Sequence, residues 1–314
     1  MENKIKGLHH ITAIAGDAQK NYDFYKKLLG QRLVKKTVNF DDPGTYHFYY
    51  GDRSGTPGTI LTFFPWKNVR KGLAGNGMAT EIGYAVPEGS LPFWKERFSA
   101  NNIKHSEEQE LLGERFIAFE DPDGLRLKLI ESSTDEREAW NSGTEDAIPP
   151  SAATKGFHSV VLTVSNKDAT ADVLSSVLGY EMKGQQGNRF RFITDAISTA
   201  NIIDVDEYPS GHPGINAGGT NHHIAFRVKD DDVLMHYREK VLSKGLYITE
   251  IIDRNYFYSL YFREPGGVLF EIASDNPGFA IDEEVSELGK HLKLPSQYEH
   301  LRNKIEAGLP SLKQ

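Results

Sequence analysis

Two short apolar runs, far apart in the chain, carry the same pair of residues. Leu8-His9-His10-Ile11-Thr12-Ala13-Ile14 is echoed by Thr220-Asn221-His222-His223-Ile224-Ala225-Phe226. Paired imidazoles inside otherwise apolar, strand-like runs point to two related strands converging on one small object. Internal repetition of this kind constrains the architecture more than any composition statistic does.

The repeat extends beyond the paired histidines. After the first run, Asn21 to Gly30 reads as a helix, with Phe24 and Leu28, and Tyr25 and Leu29, at i, i+4 spacing and glycine as its stop. Strand-like runs follow at Arg32 to Asn39, Tyr46 to Tyr50 and Thr59 to Phe64, separated by Asp42-Pro43-Gly44 and Gly55-Thr56-Pro57-Gly58. This βαβββ order recurs three more times. The modules are expected at 6–66, 78–131, 156–206 and 220–275, giving an α+β fold in two halves, 1–131 and 156–275. The polar, proline-containing stretch 132–155 reads as the linker, and 276–314 as a tail with a short helix over 297–307.

Composition then limits the chemistry. Of 314 residues, 39% are hydrophobic and 25% charged, which is ordinary for a globular protein. A net charge of -8 argues against nucleic acid or an anionic membrane as a partner. The stretch from Met1 to His9 has no apolar core of a signal peptide, and no run approaches the length of a membrane span, so a cytoplasmic protein is expected. With no cysteine in the chain, His, Asp, Glu and Tyr remain for any metal chemistry. A homo-oligomer is left open.

Strand side chains alternate between faces, so the repeat can be read for direction. His222, Ile224 and Phe226 share one face of the fourth module's first strand, which puts His223 on the opposite, concave side. The same rule puts His9 against the helix layer and His10 and Thr12 in the concavity. In the last strand of that module, Val268, Phe270 and Ile272 form the apolar face and leave Glu271 on the other. Superposing the Pro57-Gly58 and Pro265-Gly266 turns puts Phe63 in the place of Glu271. Lys128 takes that place in module two, where Glu81 replaces the histidine, and Ser159 replaces it in module three. Only modules one and four supply a coherent metal-ligand set. Two histidines, one carboxylate and open positions suit non-haem Fe(II), whereas a fourth ligand would suit zinc or nickel as a Lewis acid; manganese also remains open.

These features resemble a known family. The βαβββ repeats, with His on first strands and Glu on a last strand, resemble the vicinal-oxygen-chelate superfamily of glyoxalase I, bleomycin-resistance proteins and extradiol dioxygenases. GLHHITAIAGDAQKNYDFYKKLLGQRLVKKT, YHFYYGDRSGTPGTILTFFP, NHHIAF and YFREPGGVLFEIA are most similar to its hydroquinone-type ring-cleaving dioxygenases, whose Bacillus members are linked to quinone resistance. The resemblance covers nearly the whole chain. It implies two cup-shaped mixed sheets, with the metal cup built from modules one and four, Fe(II) on His10, His223 and Glu271, and a small aromatic substrate and dioxygen as reactants.

By the same resemblance His9, Thr12, His222, Arg254 and Tyr261 surround the metal, although strict alternation would turn His9 and His222 away. Tyr261 is expected as general acid or base, its phenol made more exchangeable by a nearby cation, and Arg254 as the group that steadies a developing anion. A glyoxalase-like lyase or thiol transferase, and a non-catalytic protein that sequesters an aromatic toxin, are the competing readings. Plainer roles are expected elsewhere. His47, His105, His158 and His236 read as hydrogen-bonded core histidines, and most of Tyr46, Phe48, Tyr50, Phe63, Phe64, Tyr256 and Tyr258 as core, with some lining the concavity. Lys229-Asp230-Asp231-Asp232 reads as a helix cap. Modules two and three are expected to form a second, empty cup.

Overall fold

The computed structural model describes residues 3–141 and 147–313. Part of the expected linker, 142–146, lies outside the described residues, as do Met1, Glu2 and Gln314. The strands run in four groups. The first is β1 (Leu8–Ala15), β2 (Arg32–Val38), β3 (Tyr46–Gly51) and β4 (Ile60–Pro65), and the second β5 (Met78–Val86), β6 (Gln109–Leu111), β7 (Glu114–Glu120) and β8 (Arg126–Glu131). The third is β9 (Phe157–Val164), β10 (Glu181–Gln186), β11 (Arg189–Ile193) and β12 (Ile202–Glu207). The fourth is β13 (Thr220–Val228), β14 (Ile252–Asp253), β15 (Phe257–Arg263) and β16 (Leu269–Pro277). A helix follows the first strand of each group: α1 (Ala18–Tyr22), α2 (Leu91–Ala100), α3 (Lys167–Asp172) and α4 (Asp231–Ser243).

The groups pair out of sequence order into two eight-stranded mixed sheets. Sheet one runs β14-β15-β16-β13-β1-β4-β3-β2 and joins groups one and four; sheet two runs β10-β11-β12-β9-β5-β8-β7-β6 and joins groups two and three. The seam of each sheet is an antiparallel pair of first strands, β1 with β13 and β5 with β9, flanked on both sides by parallel neighbours. β1 is central and buried along its whole length, which explains why its sequence hardly alternates. At the edge of sheet two, β10 is largely exposed and polar, as an edge strand should be. The sheets meet where Asn221 on β13 donates its side-chain amide to the Ala79 carbonyl on β5 at 3.0 Å.

Helix boundaries differ from the periodic reading in an instructive way. α1 begins earlier than expected because Asp17 caps it, accepting from the Lys20 amide at 2.8 Å. It then continues as a π-helical turn over Asp23–Leu28, and α3 does the same over Val173–Val177. The wider turn lets Phe24, Tyr25 and Leu28 all reach the core, with Phe24 against Phe119 of module two and Tyr25 against Phe63. α4 is capped by Asp230, which accepts from the Val233 amide, so the acidic run acts as the cap expected of it.

Two connecting segments are more ordered than their composition suggests. Ile148, Ala152 and Ala153 of the linker are buried, and Trp94 donates its indole N–H to the Ala152 carbonyl at 2.8 Å. The tail lies along β2. Gly289 can follow that path only without a side chain, since a Cβ there would stand 1.8 Å from the Leu33 carbonyl oxygen. Lys35, fully buried, reaches Asp282 at 2.6 Å and Glu283 at 2.5 Å, and Phe279 and Leu288 pack beneath the sheet with Val34 and Tyr49. The tail then turns through Ser296–Leu301 into α5 (Arg302–Gly308). Among the described residues, no helix is long and apolar enough to cross a membrane.

Candidate metal centre

The seam of sheet one is irregular at two points, and both fall on the paired histidines. Between Leu8, opposite Phe226, and His10, opposite Ala225, β1 carries one extra residue, His9. Between Thr12, opposite His223, and Ala13, opposite Asn221, β13 carries one extra residue, His222. A β-bulge breaks strict alternation and re-aims the neighbouring side chain. As a result His9 Nδ1 lies 2.9 Å from His10 Nδ1, and His222 Nδ1 lies 2.8 Å from His223 Nδ1. The expectation that His9 and His222 turn away into the helix layer is therefore corrected: each stays beside its partner.

Register fixes the rest of the site. His10 stands opposite Ala225, Ala225 beside Glu271, and Glu271 opposite Tyr261, so His10, Glu271 and Tyr261 form a row across sheet one, with His223 and Thr12 paired on the next row. The ligand atoms of His10, His223 and Glu271 all lie within 4.8 Å of one another, and all three residues are buried. Glu271 Oε2 is 3.3 Å from His10 Nε2 and 2.9 Å from His223 Nε2.

Hydrogen bonding shows what these groups offer. The Ser274 carbonyl lies 3.1 Å from His9 Nε2 and can only accept, so His9 donates from Nε2. Burial, then the adjacent His10, holds His9 well below the ordinary histidine range, so its ring is neutral and its Nδ1 can only accept. His10 therefore donates from Nδ1 and turns Nε2 towards Glu271. This is the outer hydrogen bond that fixes a metal-ligating imidazole. His222 Nδ1 makes the corresponding contact with His223 Nδ1, and burial together with His223 lowers His222 to about 3.

Both Glu271 oxygens are buried without a hydrogen-bond donor among the described residues. Burial alone would raise the Glu271 carboxyl, but the facing His10 and His223 rings outweigh it and hold the group well below the usual range. Two nitrogen atoms and one carboxylate oxygen thus converge on one buried point. That set fits a divalent cation with positions left free.

The fourth corner is not where turn superposition puts it. On β16, Glu271 pairs with Ala225, two residues after His223; the corresponding pair on β4 is Thr62 with Thr12, two residues after His10. Module four carries one more residue, Gly267, between its Pro-Gly turn and the strand, and this displaces the sequence superposition by one. Phe63 is core, packed on Tyr25 with ring centroids 4.6 Å apart. Thr62 occupies the corner, its hydroxyl 3.0 Å from Thr12 Oγ1 and 2.9 Å from His47 Nε2.

The ligands open onto a cavity of about 310 Å³, walled by Phe40, Tyr49, Phe64, Trp66 and Phe257 and reached by Asn39 and Asp41. Thr12, His47, His222, Arg254 and Tyr261 also line it, whereas His9 lies behind His10. Arg254 donates from Nε to the Tyr261 hydroxyl at 3.3 Å and faces Asp41 at 3.7 Å. The Tyr261 phenol is driven well above its ordinary value, first by burial and then by Glu271; Arg254 only partly opposes them. The protein's own groups thus hold the proton on the Tyr261 phenol.

Sequence reasoning placed His47 in the core and missed Thr62 altogether. The signal for His47 was present. Tyr46, Phe48 and Tyr50 share one parity of β3 and enter the main core, while His47 and Tyr49 share the other, which faces the cup. Of the other histidines read as core, His158 Nε2 lies 3.1 Å from a Glu114 carboxylate oxygen, and His105 hydrogen-bonds the Ser106 carbonyl at 2.9 Å. His236 is half-buried on α4.

This fold and site define a class. Residues 7–129 and 156–272 match the Glyoxalase/Bleomycin resistance protein/Dioxygenase superfamily, and the chain belongs to it. The chain is 45% identical to MhqO of Bacillus subtilis strain 168, named as a candidate ring-cleaving dioxygenase, over 98% of this chain and 97% of that protein. It is 36% identical to the chlorohydroquinone/hydroquinone 1,2-dioxygenase of Sphingobium indicum, over 97% and 96%. A crystal structure of a candidate dioxygenase from Bacillus subtilis superposes with a TM-score of 0.93 at 43% identity, covering 99% of this chain and 98% of that one. Maize glyoxalase I shares the fold alone, with a TM-score of 0.63 at 14% identity.

Proposed function

We propose that the protein is a ring-cleaving dioxygenase for hydroquinone- or catechol-type aromatics, dependent on Fe(II) and serving the detoxification of such compounds. One observation carries the reading: the buried His10, His223 and Glu271 set opens onto an aromatic-walled cup sized for a single substituted ring. The similarity to a hydroquinone 1,2-dioxygenase over nearly the whole chain supports the choice of substrate.

His10, His223 and Glu271 would hold the metal. When bound, Fe(II) supplies the one-electron chemistry that lets a spin-paired aromatic react with dioxygen. The chain's own residues do the rest. Phe64, Trp66 and Phe257 clamp the ring and exclude water. Tyr261, which keeps its proton, donates a hydrogen bond to a substrate oxygen and acts as an acid. The Arg254 guanidinium, held against Tyr261, stabilises negative charge that develops on that oxygen. His9 and His222 fix the orientation of the two ligand rings. A Lewis-acid lyase gains nothing at the fourth corner, because the Thr62 hydroxyl is already engaged by Thr12 and His47. A cytoplasmic location and assembly as a homo-oligomer belong to the same proposal, to be checked by fractionation and by light scattering.

The test is metal analysis of anaerobically purified protein together with oxygen uptake on a panel of hydroquinones and catechols. Iron with stoichiometric oxygen consumption is the expected result. Tight zinc or nickel, with turnover only of thiol adducts, would overturn it. Tyr261→Phe is expected to lower turnover more than substrate affinity; turnover at the parent rate would remove the acid role.

A further inference from the structure

A second chain of polar groups crosses the cup away from the metal ligands. Tyr49 OH lies 2.9 Å from His47 Nδ1, His47 Nε2 lies 2.9 Å from Thr62 Oγ1, and Thr62 donates its hydroxyl to Thr12 Oγ1 at 3.0 Å. All four residues are buried. Counting protons gives this chain a single direction. Thr62 has one hydroxyl proton and commits it to Thr12, so it can only accept from His47. His47 must then carry its N–H on Nε2, which leaves Nδ1 to accept from Tyr49. Burial, and after it the neighbouring His10, His223 and Arg254, keep His47 in its neutral, single-proton form.

The chain ends at Thr12, which lines the cup and stands in register with the ligand His223. Its oxygen accepts from Thr62, and among the described residues its own proton makes no other hydrogen bond. That proton is left to point at whatever oxygen the cup holds. Cooperative polarisation along three aligned hydrogen bonds makes Thr12 a stronger donor than an isolated hydroxyl.

We propose that His47 is a positioning residue which, through Thr62, orients the Thr12 hydroxyl as a donor to an anionic oxygen of the bound aromatic. The identity of that ligand rests on the dioxygenase reading. The chain favours the phenolate over the phenol, because a directed donor has its larger effect on the charged form. His47 itself exchanges no proton and touches the ligand's oxygen only through Thr62 and Thr12.

The experiment uses the iron-loaded protein without oxygen and 4-nitrocatechol, whose phenol and phenolate forms absorb at different wavelengths. Its ionisation while bound is titrated in the parent, His47→Leu, His47→Gln, Thr12→Val and the His47→Leu, Thr12→Val pair, with melting curves to confirm folding. His47→Leu is expected to weaken the acidity of the bound probe about tenfold, the scale of one hydrogen bond to a charged group. His47→Gln, whose amide N–H can still reach Thr62, recovers most of the loss. Thr12→Val reproduces the loss, and the double variant loses no more than Thr12→Val alone. Parent-like ionisation in His47→Leu, no recovery in a folded His47→Gln, or effects that add in the double variant would each overturn the inference. The titration needs no turnover, so a parent without oxygen uptake would sink the dioxygenase reading alone.

Discussion

The two sheets repeat one backbone device and fill it in opposite ways. Sheet two carries the same bulges at its seam, with Thr80 as the extra residue on β5 and His158 on β9. Glu81 and Ser159 therefore stand where His223 and His10 stand in sheet one, and Lys128 and Asp204 take the places of Glu271 and Thr62. Yet among the described residues no metal set forms there. Lys128 pairs with Glu81 at 2.7 Å, Arg189 with Asp206 at 2.7 Å, and Arg191 with Asp204 at 2.8 Å and Glu114 at 2.7 Å. The space left is about 10 Å³, against about 310 Å³ in the metal cup. The second cup, expected to be empty, is closed by its own ion pairs.

The difference teaches how a bulged seam is made functional. In sheet two every buried charge has a partner of opposite sign supplied by the chain, so the cup is electrostatically complete. In sheet one the buried Glu271 carboxylate faces the His10 and His223 rings and no cationic side chain pairs with it among the described residues, so the cup presents three ligand atoms to an added cation. One β-bulge architecture thus serves as a structural clamp or as a ligand cradle, and the side chain at the end of the last strand decides which.

The comparison can be broken most sharply at that position. Glu271→Gln is expected to abolish oxygen uptake and to lower the stability of the metal-free protein, because the His10 and His223 rings that hold the carboxylate ionised lose their partner. Urea unfolding under a chelator checks the second half, and parent-like stability would contradict it. In sheet two the loss falls on stability alone. Lys128→Met leaves Glu81 only Arg189, at 3.5 Å, and is expected to cost about 2 kcal/mol with iron binding retained, whereas Lys128→Met with Glu81→Leu removes both charges and is expected near parent stability. A smaller effect follows from the histidines. His222 is lowered to about 3 in the folded chain against its ordinary value of 6.5, so between these values only the unfolded state takes up the proton. Stability of the metal-free protein therefore falls as pH drops from about 6.5 towards 3. His222→Phe should make that fall shallower by up to one proton, read from melting temperature against pH.

Much of this was legible in the chain. The repeats survive as strand periodicity and as helix stops at Gly30 and Gly179, and the inward faces of His10, His223 and Glu271 follow from alternation alone. What was not legible arises between distant segments. The bulges that bring His9 and His222 to their partners exist only in the pairing of β1 with β13. The exchange of Phe63 for Thr62 turns on a single glycine in a distant turn. The direction of the Tyr261 shift depends on burial that no local pattern reports. The ion pairs of sheet two join five strands whose charged residues, read singly, look like ordinary surface.

Among the described residues, the cup of sheet one alone carries the donor set that a cation completes. Anaerobic titration of the metal-free chain with Fe(II), followed by equilibrium dialysis of parent and Glu271→Gln, tests it directly. One iron per chain in the parent, and none retained by Glu271→Gln under the same conditions, is the expected result. Two irons per chain, or undiminished binding in Glu271→Gln, would contradict it.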